Sequence, residues 1–161
     1  MFEMKKIQAS GKAGFYTELR SQAQGLLHDE HDLTANAANF AALLYHSLPE
    51  VNWAGFYFFK DGELLVGPFQ GKPACVHIAL GKGVCGTAAQ TRKTQLVPDV
   101  NKFPGHIFCD GNSLSEIVVP LVKGDRLLGV LDIDSPKLAR FDLEDQAGLE
   151  ALAQVFLESL P

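Results

Sequence analysis

The sequence predicts an α+β fold in which a mostly antiparallel, six-stranded sheet is flanked by N- and C-terminal helices. Three observations support this fold class. Apolar residues recur at helical spacing near both ends, the middle of the chain is rich in aromatic and β-branched residues, and hairpin-type turns join strand pairs there. The 161 residues, 47% hydrophobic and 20% charged, suit a single domain spanning residues 1–161.

Two helices are predicted before the sheet, and both are expected to cover it. The first spans about residues 14–28, and its apolar face comprises Phe15, Leu19, Ala23, Leu26 and Leu27. The second starts near Asp32 or Thr34, either of which can cap it, and it ends at Pro49. Its apolar stripe comprises Leu33, Ala37, Phe40, Ala41, Leu44 and Leu48.

Six strands are expected after these helices. They lie at residues 51–60, 63–69, 74–80, 94–97, 116–122 and 126–134. Asp61-Gly62 joins the first two strands in a hairpin, and the turn at 123–125 joins the last two. A short helix opens in the glycine-rich segment before the fourth strand, and the final helix starts at its cap, Asp142. Residues 99–115 form a long irregular loop, which in a compact domain is usually functional or disordered.

Composition narrows the classes of function. The net charge is −5, and lysines and arginines are scattered rather than gathered in a basic stripe, so nucleic acid is not an expected partner. No apolar run approaches the roughly 20 residues of a membrane-spanning helix. The N-terminal residues also lack the apolar region of a secretory signal. We therefore expect a cytoplasmic protein without membrane contacts.

The three cysteines, Cys75, Cys85 and Cys109, are the first candidates for chemistry. A cytosolic cysteine is often only a small buried hydrophobe, but an odd count argues against a purely structural disulfide framework. Cys109 lies in the polar loop and should be reachable. Cys85 lies at a predicted helix start, where the helix dipole should lower the pKa of its thiol. Cys75 lies near the start of the third strand, where it could reach the rim of a site.

Other uses of these residue types have weaker support. The nearest cysteines are ten residues apart, and no spacing with His77 or His106 resembles a usual zinc motif. We therefore expect no bound metal and interpret both histidines as polar strand and loop residues. A serine nucleophile elbow and a P-loop are also absent from the sequence.

Acidic residues interrupt two otherwise apolar strands near their ends. Asp132 and Asp134 share one face of the last strand by its period of two, together with Leu128 and Val130. The alternative is that this strand simply reaches solvent before Pro136. If the last two strands form a hairpin, Glu116 comes close to both aspartates. Three acids around one pocket would suit an ammonium group, and crowding would raise at least one pKa, leaving a proton donor near neutral pH.

Four segments together resemble the free methionine-(R)-sulfoxide reductases, a family built on the GAF domain. They read NWAGFY, GKGVCGTAA, HIFCDGNSLSEIVVPL and GVLDIDSP, and they carry all three cysteines. The resemblance covers nearly the whole chain. It implies a GAF-type fold and the reduction of free L-methionine-(R)-sulfoxide to methionine, with no bound cofactor. It also implies a thioredoxin partner as electron donor, and GAF domains often form homodimers through their terminal helices.

The resemblance also implies roles for the cysteines. Cys109 would attack the sulfoxide sulfur as a thiolate and become a sulfenic acid. Cys75 would then condense with it to form a disulfide, which thioredoxin reduces. Cys85 also matches a family cysteine, and it would either resolve in place of Cys75 or shape the site.

The acids and aromatics are matched in the same way. Glu116 and Asp134 would address the sulfoxide oxygen, and Asp132 would bind the substrate ammonium group. Trp53 and Tyr57 would hold the S-methyl end, although aromatic residues in a strand commonly serve core packing alone. Backbone N–H groups in the loop at residues 108–115, or at the helix start near Val84 and Cys85, could bind the substrate carboxylate. A pocket that encloses both charged ends of the amino acid would admit the free substrate only.

Two competing functions remain at this stage. A non-catalytic GAF sensor would bind a small ligand in the same pocket, but sensors usually accompany an output domain, for which the given chain has no room. A thiol redox switch would form a disulfide with peroxide and prefer no particular sulfoxide.

Overall fold

The computed structural model describes residues 1–107 and 111–161. Its helices are α1 (Lys12–Leu26), α2 (Leu33–Ser47), α3 (Gly83–Thr91) and α4 (Leu143–Glu158), with a short 3-10 turn at Val100–Lys102. Its strands are β1 (Trp53–Lys60), β2 (Glu63–Gly71), β3 (His77–Ala79), β4 (Gln95–Val97), β5 (Ser115–Lys123) and β6 (Arg126–Ser135). Within these ranges the strands form one antiparallel sheet in the order β3-β2-β1-β6-β5-β4, so the predicted α+β class is confirmed.

The sheet separates two apolar clusters. On one face, α1, α2 and α4 pack over the larger cluster, and on the other face α3 covers the smaller one. Alternation along β1 shows the division, because Ala54 and Phe56 enter the larger cluster while Trp53 and Tyr57 enter the smaller. The α3 face is therefore the side on which polar groups can be enclosed by a single short helix. No described helix combines the length and apolar character that crossing a bilayer requires.

Helix caps follow the sequence closely. The Asp32 side chain accepts a hydrogen bond from the backbone N–H of Ala35 at 2.8 Å, and Asp142 forms a capping box with Asp145. Both caps were predicted.

The prediction for Leu33 was wrong, because this residue is 40% exposed. It is the first residue of α2, where the helix has not yet turned its apolar stripe against the sheet.

The third strand is shorter than predicted. Only His77–Ala79 pairs with β2, and the last backbone bond before it joins the N–H of Val66 to the carbonyl of Val76 at 2.9 Å. The register pairs end at Leu65 and His77, so residues 74–76 lie outside the strand. Cys75 therefore lies in the irregular segment before β3 rather than in the strand itself.

A buried polar network joins α1 to α4. The Tyr16 hydroxyl donates to Asp145 at 2.7 Å, and Asp145 also accepts from Lys12 at 2.6 Å and from Arg140 at 3.2 Å. Asp145 is 1% exposed, so these donors replace the water it loses on folding. Gly148, one turn further along α4, faces the Tyr16 ring and allows the two helices to approach.

Gly148→Ala is expected to lower the free energy of unfolding by about 1–3 kcal/mol, because the added methyl group would enter a buried site that has no space for it. A Cβ there would lie 2.2 Å from Cγ of the Tyr16 ring. The matched control is Gly25→Ala in α1, where the nearest atom to the new Cβ is 4.0 Å away. That variant should gain up to about 1 kcal/mol from helix propensity. Equal urea-unfolding midpoints for the two variants would contradict this account.

Candidate active site

A pocket lies between the sheet and the start of α3. Its floor is formed by β1, β5 and β6, and its walls by residues 72–74, 82–85 and 106–107. The five predicted sheet residues that line it are Trp53, Tyr57, Glu116, Asp132 and Asp134. Cys85 lines it from α3. The structure therefore brings six of the eight predicted site residues together.

The three carboxylates meet because of the β5–β6 register. Glu116 lies directly opposite Asp134, and Asp132 lies opposite Val118, so all three point to the α3 face. Glu116 and Asp132 are each 5% exposed, whereas Asp134 is half-buried. The predicted proximity of the acids is confirmed, and the alternative that the strand simply reaches solvent at Asp132 is excluded.

A bulge in β6 makes this arrangement. Near the turn Val122 pairs with Leu127, but beyond it Leu121 pairs with Gly129, so Leu128 is an extra residue. If the register next to the turn continued along both strands, Glu116 would oppose Ile133 and face away from the aspartates. The bulge also corrects the prediction that Leu128 shares their face, because it packs in the larger cluster instead. Gly129 is required here, since its φ is 152° and a Cβ would lie 2.1 Å from the Tyr57 carbonyl oxygen.

Burial dominates the electrostatics of this cluster. Desolvation and then the charge of Asp134 raise the pKa of Glu116 to about 8. Desolvation and then the charge of Glu116 raise the pKa of Asp132 well above its usual range. The Tyr57 pKa is raised by burial and then by Asp132, so its phenol keeps its proton. Glu116 on the pocket floor is therefore a protonated carboxylic acid near neutral pH and can act as a proton donor.

The pKa of the Cys85 thiol differs from the prediction. Its Sγ lies 3.9 Å from Glu116 Oε1, and it also hydrogen-bonds with Asp132. Burial and then the charges of Asp132 and Glu116 raise the pKa of this thiol, whereas the helix start alone predicted a lowered pKa. Two carboxylates and the loss of water therefore outweigh the helix dipole. Cys85 is a free, buried thiol that serves as a hydrogen-bond donor at neutral pH.

Aromatic rings stack on the β1 side of the pocket floor. Trp53 stacks between Tyr57 and Phe69, with ring centroids 5.8 Å and 5.0 Å apart, and its indole N–H donates to the Lys72 carbonyl at 3.1 Å. Phe69 was not predicted. The available signal was Gly55 in β1, because a Cβ there would lie 2.3 Å from Cβ of Phe69. This close approach of β1 and β2 allows the stack to form.

The remaining two predicted cysteines are not among the described residues that line the pocket. Cys75 is half-buried and disulfide-bonded, next to the pocket wall at residues 72–74. Cys109 lies outside the described residues. His106 does lie in the loop, as predicted, but the sequence did not show that its side chain is 8% exposed or that its Nε2 lies 3.5 Å from Glu116 Oε2. His77 does behave as predicted, in an exposed pair with Glu63.

One set of side chains in the described part of the chain could hold a metal ion. The donor atoms of Cys85, Glu116 and Asp132 all lie within 4.8 Å of one another. The pKa of each is raised, so an ion would have to displace protons that the three groups already share. The absence of bound metal remains a prediction from the sequence.

Known proteins resemble this chain in sequence and in structure. The family model described as GAF domain matches residues 28–156. The free methionine-R-sulfoxide reductase of Escherichia coli K12 is 50% identical over 141 residues, which cover 88% of this chain and 86% of that protein. The free methionine-R-sulfoxide reductase of Neisseria meningitidis, solved in complex with its substrate, has a TM-score of 0.94 at 42% identity, covering 99% and 95% of the two chains.

A third similarity carries a different description. The structure of a candidate GAF sensor protein from Burkholderia vietnamiensis is 66% identical to this chain, with a TM-score of 0.91, and covers 94% of this chain and 96% of its own. The fold and its enclosed pocket thus define a GAF-domain protein. Within that class, the chain belongs to the free methionine-R-sulfoxide reductase family.

Proposed function

We propose that this protein reduces free L-methionine-(R)-sulfoxide to L-methionine in the described pocket. The observation that carries the proposal is the buried Glu116, whose pKa of about 8 keeps a proton available at neutral pH beside two further carboxyl groups. Sulfoxide reduction by a thiol needs such a donor, because the departing oxygen must be protonated. The substrate complex of the Neisseria relative supports the choice of ligand.

The cysteine chemistry is the finer part of the proposal. The Cys109 thiolate attacks the sulfoxide sulfur while Glu116, assisted by Asp134, protonates the oxygen. The attack forms a bond between Cys109 Sγ and the substrate sulfur. As the oxygen passes to Cys109 Sγ, the sulfur–oxygen bond of the substrate and this sulfur–sulfur bond both break. The oxygen ends as the hydroxyl of a Cys109 sulfenic acid, and methionine leaves reduced by two electrons. Glu116 is left as a carboxylate and regains its proton from water.

Recycling requires a second cysteine. In our proposal the Cys75 thiol attacks the sulfenic sulfur, releasing water and forming a disulfide that a thioredoxin reduces by thiol exchange. Two observations favour Cys75 over Cys85 in this role. Cys75 is half-buried and disulfide-bonded, whereas Cys85 is a buried free thiol with a raised pKa. Cys85 is assigned the alternative role of shaping the acidic site.

The pocket offers partners for the rest of an amino acid. Within the described residues the buried Oδ1 of Asp132 has no hydrogen-bond partner, which suits it to receive the substrate ammonium group. The N-terminal turn of α3 has no side-chain cap, so its backbone N–H groups near Val84 can receive the substrate carboxylate. Trp53 and Tyr57 would hold the S-methyl end. Enclosing both charged ends would exclude a peptide-bound residue.

The proposal is tested by measuring NADPH consumption with thioredoxin and thioredoxin reductase. Free L-methionine-R-sulfoxide, its S epimer and N-acetyl-methionine-R-sulfoxide are supplied separately. We expect turnover with the free R epimer alone, because the N-acetyl group removes the ammonium that Asp132 binds. Turnover of the N-acetyl form would contradict the enclosed pocket.

A non-catalytic ligand sensor is the second candidate, favoured by the description of the Burkholderia structure. It predicts tight binding of a small ligand in calorimetry and no turnover by protein whose thiols titrate as reduced. Turnover with dithiothreitol but not with thioredoxin would instead keep the reductase and replace the electron donor.

A further inference from the structure

His106 is a pocket residue that the proposed chemistry has not used. Its side chain is 8% exposed, and it lies between the 3-10 turn and β5. Two features of its segment hold it against the acidic cluster. The His106 backbone N–H donates to the Phe103 carbonyl at 3.2 Å, and Ile107 packs in the smaller apolar cluster beside Gly83. The imidazole is therefore enclosed rather than free to turn into solvent.

Burial and the charge of Asp134 disfavour a negative charge on Glu116, whereas hydrogen bonds with Asp132 and Cys85 favour it. Asp134 lies directly opposite it on β6, and Asp132 lies two residues before Asp134 on that same strand. Cys85 approaches from α3 with a weak S–H donor. Among the described residues, His106 supplies the basic nitrogen at ion-pair distance, with Nε2 at 3.5 Å from Oε2. Burial lowers the pKa of His106, so the ring is neutral at pH 7 and carries one N–H.

We propose that His106 is a positioning residue whose Nε2–H donates to the Glu116 carboxylate, orienting it in the pocket and stabilising it after its proton has passed to the sulfoxide oxygen. The inference deepens the proposed function and rests on it. The Nε2 proton stays on the imidazole throughout, and Glu116 is reprotonated by water. Hydrogen bonds with Asp132 and Cys85 already lower the pKa of Glu116, and the His106 N–H adds a further donor to the ionised carboxylate. Without that donor Glu116 would be a weaker acid.

Two substitutions separate the donor role from simple packing. His106→Leu keeps much of the volume and removes the donor, whereas His106→Gln keeps an N–H of similar reach. We expect His106→Leu to lower kcat about 10- to 100-fold, the range for a hydrogen bond to a charged group. The KM for methionine sulfoxide should change little, and His106→Gln should recover much of the kcat. The matched control is His77→Leu, which breaks the exposed pair with Glu63.

The direction in which the alkaline decline of kcat moves distinguishes a positioning role of His106 from damage to the fold. Loss of the donor raises the pKa of Glu116, so the decline of kcat at high pH should move upward in His106→Leu and not in His77→Leu. Infrared titration of the buried carboxyl C=O band measures the same shift without turnover, and we expect about one pH unit. The infrared titration tests the interaction between His106 and Glu116 even if the wild type proves not to reduce sulfoxides.

Three results would overturn the inference. One is an unshifted carboxyl band in His106→Leu, and another is a wild-type kcat in that variant. The third is a His106→Gln variant as impaired as His106→Leu, which would mean that a donor at this position is not what matters. If His106→Leu fails to fold, as judged by circular dichroism, the comparison of wild type with His106→Gln in both readouts still applies. In that case the kcat and band position of His106→Gln should stay near those of the wild type.

Discussion

Glu116→Gln is expected to lower kcat for methionine sulfoxide about 100- to 10,000-fold, the range for loss of a positioned general acid. The amide matches the carboxyl group in size, so packing around β5 should be preserved. It has no acidic proton to give to the departing oxygen, and neither Cys85 nor Tyr57 can replace it, because burial raises the pKa of both groups. Steady-state kinetics in the thioredoxin-coupled assay measure the effect.

The role of Glu116 as a general acid also predicts the direction in which kcat changes with pH. Glu116 must be protonated to act, and its pKa of about 8 lies above the usual carboxyl range, so wild-type kcat should fall as pH rises through about 8. Glu116→Gln should lack this decline. The matched control is Glu63→Gln in β2, an exposed carboxylate paired with His77, which should keep the wild-type profile. A Glu116→Gln enzyme with normal kcat and a normal alkaline decline would remove Glu116 from the mechanism.

Cys109→Ser is expected to abolish turnover while the protein stays folded. A serine hydroxyl does not ionise near neutral pH and cannot accept the sulfoxide oxygen as a sulfenic acid does, so both the attack and the intermediate are lost. Coupled turnover should fall below detection, and circular dichroism should be unchanged. Full activity in this variant would end the reductase proposal.

Cys75→Ser should behave differently from Cys109→Ser, and the difference tests the division of labour. Without the resolving thiol, one equivalent of methionine should form per protein and a sulfenic acid should accumulate, which dimedone traps and mass spectrometry locates. Thioredoxin should then support little turnover. Cys85→Ser is the informative comparison, because it should still form the disulfide and accept electrons from thioredoxin. Loss of disulfide formation in Cys85→Ser, with recycling intact in Cys75→Ser, would exchange the two roles.

Features that depend on neighbouring residues were predictable. Asp32 and Asp142 cap their helices, and the turns at 61–62 and 124–125 join the expected strands, because caps and tight turns satisfy backbone groups within a few residues. The candidate acids could be identified because burying a charged residue in an apolar strand is energetically unfavourable unless the charge is paired.

Properties that depend on distant elements could not be predicted in this way. The helix start predicted a lowered pKa for Cys85, but Glu116 and Asp132 arrive from β5 and β6 and reverse the shift. His106 was interpreted as a loop residue because nothing in its segment shows that it is buried against Glu116. Local sequence does not specify which charges a fold brings together or how much water it removes, and these two quantities set a pKa.

The sequence by itself therefore determined the fold class, the helix ends, the hairpins and the set of thiols and acids from which a site could be built. Only the tertiary structure decided which of them meet. A single extra residue, Leu128, turns Glu116 to the side of Asp132 and Asp134, and Gly129 makes the bulge possible where β6 crosses the Tyr57 carbonyl. Strand faces alternate with a period of two, so one residue of register decides whether three acids share a pocket or lie on opposite sides of the sheet.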